Sequence, residues 1–80
     1  MDPSQWALYT NAANCYFKLG EYERSIEMSD EALTLCPTLT KAVYRRGLAY
    51  GELRLFKGAV EDLRRVLKAM PNDVEVKKKL

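Results

Sequence analysis

Apolar residues recur along the chain at intervals of three and four, which is the spacing of one face of an α-helix. One such series ends at Leu19 and a second begins at Tyr22. Gly20 lies between them and suits the position after a helix, because glycine adopts positive φ without a Cβ clash. The pattern therefore predicts a hairpin of two helices, over residues 4–19 and 22–36.

The same pattern returns when the sequence is shifted by 34 residues, so that Tyr16 falls on Tyr50 and Pro37 falls on Pro71. A repeat of this length is typical of solenoids built from stacked helical units. The prolines end the second helix of each unit, because proline disfavours the helical region for the residue before it. We therefore predict a second helix pair and a short fifth helix, over residues 39–53, 56–70 and from about 73.

The predicted fold class is all-α, a right-handed solenoid of helical hairpins with two repeats and a short C-terminal helix. No stretch alternates with the period of two that a half-buried strand shows. Charged residues make up 30% of the 80 residues and hydrophobic ones 48%, which is a globular composition. A chain of this length forms one small domain at most, with a thin core.

Several functional classes are disfavoured by composition. The net charge of +2 is too small to indicate nucleic acid or an anionic membrane as the main partner. No apolar run approaches the roughly 20 residues of a membrane span, and the opening residues favour a helix cap over a targeting signal. The sequence has no histidine, the commonest general base and metal ligand. We therefore expect no catalytic residues, no metal site, no cofactor and no enzymatic activity.

The two cysteines, Cys15 and Cys36, match no zinc or redox spacing. We interpret them as buried structural thiols in a reducing compartment, which agrees with a cytoplasmic location.

Two sets of repeated positions share one pattern: Gly20, Tyr22, Ser25, Ile26, Ala32, Leu33 and Pro37, then Gly47, Tyr50, Phe56, Ala59, Leu67 and Pro71. These positions resemble the tetratricopeptide repeat, whose units are stacked helical hairpins. The resemblance covers nearly the whole chain, as one domain over 1–80 with repeats at 6–39 and 40–73 and a partial third unit at 74–80. Two residues depart from the family pattern: Arg54 replaces the usual turn glycine, and Arg46 replaces an inward leucine.

A concave surface is expected along the first helices of successive repeats. Lys41 and Arg45 are spaced i, i+4 and share one face of the third helix. Asn11 lies 34 residues before Arg45, at the equivalent place in the first repeat. Cations and amides together can bind the carboxylates of an extended peptide through charge-assisted hydrogen bonds. The predicted peptide-binding residues are Asn11, Asn14, Lys18, Lys41 and Arg45.

These residues resemble the carboxylate-clamp subclass, which occurs in cochaperones and large immunophilins. The family's middle-repeat asparagine falls on Asn11, its Lys and Arg pair on Lys41 and Arg45, and a groove lysine on Lys18. The resemblance implies as partner the C-terminal Glu-Glu-Val-Asp tail of a heat-shock chaperone of the seventy- or ninety-kilodalton class. The family's first repeat has no counterpart, so we expect the last two repeats of a three-repeat clamp.

Simpler interpretations remain open. A cationic pair on a helix is often only a solvated face, and the chain is alternatively a structural or engineered repeat unit that self-associates into a homo-oligomer without binding peptide. Trp6 and the tyrosines are expected to pack between helices. The acidic residues of the second helices, Asp30, Glu31, Glu61 and Asp62, are expected to face outward, and the lysines at 77–79 to be solvated.

Cys15 and Cys36 are expected not to form an intramolecular disulfide. In a hairpin that turns near residue 20, a rise of about 1.5 Å per residue separates them by on the order of 15 Å. That distance exceeds the reach of a disulfide. Non-reducing electrophoresis with mass spectrometry should therefore show no bond between them within a monomer. Finding that bond would contradict the predicted hairpin.

Overall fold

The computed structural model describes residues 3–69, which form four α-helices joined by short turns. Their bounds agree with the predicted ones to within a residue, and no strand occurs in this range, so the all-α helical-hairpin fold is confirmed. The expected fifth helix and the lysines at 77–79 lie outside the described residues. The helices are α1 (Pro3–Lys18), α2 (Tyr22–Leu35), α3 (Thr40–Glu52) and α4 (Phe56–Ala69).

The helices pack as two hairpins, α1 on α2 and α3 on α4, with α2 against α3 and α1 beside α3. The buried core consists of Val43, Leu63 and Val66 of the second hairpin. Leu33 of α2 packs against this core, so the first hairpin is joined to the second by apolar contact. This arrangement places the first helices of both hairpins side by side on one surface.

Small residues allow the helices to approach closely, as the repeat pattern predicted. Ser25 is fully buried, and its hydroxyl donates a hydrogen bond of 2.8 Å to the Ala13 carbonyl across the first hairpin. In the second hairpin, a Cβ added to Gly47 would lie 3.0 Å from the Cβ of Asp62. Five small residues are buried at these contacts: Ala13, Ser25, Ala32, Gly47 and Ala59.

Both hairpin turns close with the same pair of backbone hydrogen bonds. In the first turn, Gly20 has φ +80° and the Glu21 N–H donates to the Tyr16 carbonyl at 2.9 Å. In the second turn, Arg54 has φ +62° and the Leu55 N–H donates to Tyr50 at 2.8 Å. This six-residue closure is the Schellman ending of a helix, which requires a left-handed residue. Arg54 therefore adopts the glycine conformation at a steric cost.

We predict that Arg54→Gly stabilises the protein by about 0.5–1 kcal/mol, because glycine removes the Cβ clash at positive φ. The matched control is Arg64→Gly, the same change at an exposed position inside α4. There it should lower the free energy of unfolding by about 1 kcal/mol, because glycine disfavours helix interiors. Urea unfolding measures both values. If Arg54→Gly lowered the free energy of unfolding as much as Arg64→Gly does, the backbone of Arg54 would not be strained.

Candidate functional site

A groove of about 480 Å³ lies between α1 and α3, on the surface where the first helices of the two hairpins meet. Four of the five predicted binding residues line it: Asn11 and Asn14 from α1, and Lys41 and Arg45 from α3. Lys18, in the last turn of α1, is exposed but is not part of the lining. The structure thus brings together two amides and two cations from both repeats.

Arg46 is paired with carboxylates, and the two cations that line the groove differ from it in this respect. Arg46 forms ion pairs with Asp62 and Asp30, at 2.7 Å each. Within residues 3–69, neither Lys41 nor Arg45 has a carboxylate at ion-pair distance. Among the described residues, therefore, Arg46 is the α3 cation that carboxylates neutralise, and Lys41 and Arg45 are not neutralised in this way.

Arg46 is held by three hydrogen bonds from two helices. Its Nε and Nη2 donate to the two carboxylate oxygens of Asp62 at 2.7 and 2.9 Å, and its Nη1 donates to Asp30 at 2.7 Å. The bond to Asp62 is the largest cause of a guanidinium pKa raised above its ordinary value, against the opposing effect of burial. The side chain thus stays charged and links α2, α3 and α4.

The expectation that the acidic residues of the second helices face outward is wrong for Asp62. Its side chain is only 5% exposed, whereas that of Asp30 is 52% exposed. A buried carboxylate needs a charged partner, and Arg46 supplies one in a two-point fork. The sequence did contain a signal for this pair. Arg46 occupies an inward position that usually holds leucine, and a cation there requires a buried carboxylate nearby.

Arg45 lies over an aromatic ring that the sequence analysis did not assign to the site. Its guanidinium carbon is 4.8 Å from the centroid of the Phe17 ring, a cation–π distance. Phe17 in turn contacts Tyr22 edge to face, with centroids 5.3 Å apart. Phe17 follows Asn14 by three residues on α1, and this helical spacing could have indicated a shared face.

The groove is also bordered by an amide side chain and by aromatic side chains. The side-chain oxygen of Asn14 is buried and has no hydrogen-bond partner in the part of the chain that the structure describes. Trp6 and Tyr44 line the same groove. Trp6, expected only to pack between helices, therefore also borders the space open to a ligand. Such a site can bind carboxylates through its cations and through its amide N–H groups.

Metal binding, membrane crossing and the two cysteines were also considered for residues 3–69. No group of histidine, cysteine or acidic side chains within 3–69 could hold a metal ion. None of the four described helices combines the length and apolar character that crossing a bilayer requires. Cys15 and Cys36 are free thiols, and the expectation that both are buried is wrong, because Cys15 is exposed and Cys36 is only half-buried.

Comparison with known proteins agrees with the helical-hairpin fold. The Tetratricopeptide repeat family matches residues 7–39 and 40–73. A solved structure described as the first TPR of Spaghetti (RPAP3) bound to HSP90 peptide SRMEEVD superposes with a TM-score of 0.92 at 35% identity. That match covers 99% of this chain and 63% of the other.

Two curated relatives show the same similarity. Sperm-associated antigen 1 of Homo sapiens is 39% identical over 74 residues, which are 92% of this chain and 8% of that protein. The TPR repeat-containing thioredoxin TTL4 of Arabidopsis thaliana is 40% identical over 80 residues, which are 100% of this chain and 12% of that protein. The chain thus spans only a small part of these relatives. It belongs to the tetratricopeptide repeat family.

Removing the Arg46 side chain should destabilise the fold. Arg46→Ala leaves the Asp62 carboxylate buried without its partner, which costs about 3–5 kcal/mol of unfolding free energy. Arg46→Met combined with Asp62→Leu should recover much of that loss, because no charge then remains buried. Both are measured by urea unfolding followed by circular dichroism.

Lys41→Ala is the control within α3 and should change stability by no more than about 0.5 kcal/mol, because Lys41 is exposed. A loss at position 46 as small as that at 41 would show that the ion pair does not support the fold.

Proposed function

We propose that this chain is a protein-interaction module that binds the acidic C-terminal tail of a heat-shock chaperone in the groove between α1 and α3. The observation that carries the proposal is which cations of α3 form ion pairs with carboxylates. Arg46 is neutralised by Asp62 and Asp30, whereas Lys41 and Arg45 line the groove without a carboxylate partner among residues 3–69. An acidic peptide supplies the missing carboxylates.

Each polar residue of the groove has a role in this proposal. Lys41 and Arg45 donate charge-assisted hydrogen bonds to the terminal and side-chain carboxylates of the peptide. Asn11 and Asn14 donate their amide N–H groups to a carboxylate or to a backbone carbonyl of the peptide. Lys18, beyond the groove lining, contributes positive charge where the peptide leaves the groove. The set forms a carboxylate clamp built from two successive repeats.

The peptide-bound relative supports the choice of ligand. The domain of Spaghetti is described with the HSP90 peptide SRMEEVD, in which three of the last four residues are acidic. Two cations and two amides of the present groove match such a ligand in charge and in hydrogen-bonding capacity. We therefore propose a chaperone tail of the seventy- or ninety-kilodalton class as partner, and a cytoplasmic location for the encounter.

A second candidate function, self-assembly, is favoured by apolar surface away from the groove. Leu8 is 69% exposed and borders a concavity with Tyr9 and Leu35 on the outer side of the first hairpin. Solenoid units commonly cover such a face with a neighbouring repeat. In this alternative the face binds another copy of the chain, and the groove residues are a solvated surface.

We expect a peptide ending in Glu-Glu-Val-Asp to bind, and Lys41→Ala or Arg45→Ala each to weaken binding about tenfold or more. Each change removes a charge-assisted bond worth about 1.5–3 kcal/mol. Arg64→Ala, an exposed cation of α4 outside the groove, is the matched control and should leave the affinity unchanged. Isothermal titration of the same peptide with an amidated C-terminus separates the terminal carboxylate from the side chains.

Binding should also weaken as salt is raised, because the groove is open to water and its charges are screened. Equal affinities for wild type and the three variants would contradict the clamp. Absence of wild-type binding at millimolar peptide would do so as well, and light scattering on the same samples would then test self-assembly.

A further inference from the structure

The Arg45 guanidinium has an unusual partner for a ligand-binding cation. Within residues 3–69 it has no carboxylate at ion-pair distance, and it lies 4.8 Å from the Phe17 ring centroid. Arg46 shows the contrasting case, with Tyr50 at 5.9 Å but three hydrogen bonds to aspartates that dominate its environment. The ring is thus secondary for Arg46, whereas for the Arg45 guanidinium it is the main contact within residues 3–69.

An aromatic ring orders a cation without neutralising it. A carboxylate partner would compete with the ligand for the guanidinium N–H groups, and its charge would cancel that of Arg45. A ring against the face of the planar guanidinium leaves the N–H groups at its edge free to donate. The Arg45 side chain can therefore lose conformational freedom before the ligand arrives, while it keeps both its charge and its donors.

The ring is itself fixed in place. Phe17 is half-buried near the end of α1 and contacts Tyr22 of α2 at 68° between ring planes, an edge-to-face pair. This contact spans the turn of the first hairpin, whereas Arg45 belongs to the second hairpin. A groove cation of one repeat thus contacts an aromatic pair of the other repeat.

We infer that Phe17 is a positioning residue of the groove, which holds the Arg45 guanidinium ready for a carboxylate of the ligand through a cation–π contact between repeats. The inference rests on the proposed function, since it assigns how one cation of that site is oriented. Preordering of this kind raises affinity because less side-chain freedom is lost on binding. It also makes arginine at position 45 different from lysine, which has no plane to stack on the ring.

The test is isothermal titration of a peptide ending in Glu-Glu-Val-Asp against variants of Phe17. Phe17→Leu should weaken binding about three- to tenfold, because the cation–π contact and the ordering of Arg45 are lost. Phe17→Tyr keeps a ring and should bind within about twofold of wild type. Replacing Phe17 by 3,4,5-trifluorophenylalanine keeps the ring's shape but depletes its π electrons, and should also weaken binding even if the leucine variant folds poorly.

Two controls separate positioning from packing. Tyr16→Leu removes the neighbouring ring, which faces Arg24 at 5.8 Å rather than a groove cation, and should leave the affinity unchanged. In an Arg45→Ala background, Phe17→Leu should change the affinity by less than about twofold, because no guanidinium remains to be ordered.

The outcomes distinguish this inference from the proposed function. If wild type binds and the leucine and trifluorinated variants bind equally well, the positioning role is overturned while the clamp stands. A loss that persists in the Arg45→Ala background would also overturn it, because the ring would then act on something other than Arg45. If wild type itself does not bind the peptide, the proposed function fails and the positioning role falls with it.

Discussion

The ion pair between Arg46 and Asp62 fixes how α3 is rotated about its own axis, and the groove depends on that rotation. The guanidinium is drawn towards α4 and α2 by two aspartates, with its side chain only 18% exposed. Successive helical residues point about 100° apart, so Arg45 must face another direction once Arg46 is anchored. The direction it takes is towards α1, which is the direction of the groove.

Because of the same ion pair, Arg46 differs from the other two cations of α3, Lys41 and Arg45. One cation is used within the fold, where its carboxylate partners neutralise it, and two are left at the groove without such partners in residues 3–69. A buried ion pair adds little net stability, because the desolvation of both charges offsets their attraction. Its effect here is geometric: breaking the pair costs much more than forming it contributes, so rotations of α3 that separate Arg46 from Asp62 are disfavoured.

The helices and their close contacts could be predicted because they depend on local sequence. Spacing gave the helix bounds, Gly20 gave the first turn, and small residues such as Ser25 marked where helices approach. The buried position of Asp62 could not be read from its own neighbourhood, since an acidic residue on a second helix normally faces water. It becomes intelligible only with Arg46, sixteen residues earlier in the chain.

For the groove too, positions along the helices could be predicted from the sequence, but contacts between distant residues could not. Asn11, Asn14, Lys18, Lys41 and Arg45 were predicted from their places on the first helices of the two repeats, and the structure places all of them except Lys18 along one groove. The contact of Phe17 with Arg45 was not predicted, because it depends on how closely two hairpins approach, which periodicity does not specify. The position of Trp6 beside the groove was not predicted for the same reason. Trp6 is the single tryptophan of the chain and lies in the wall of the groove, so it is a natural optical reporter. A ligand that displaces water from the indole changes its emission, and the occupancy of the groove can be followed in the unlabelled protein.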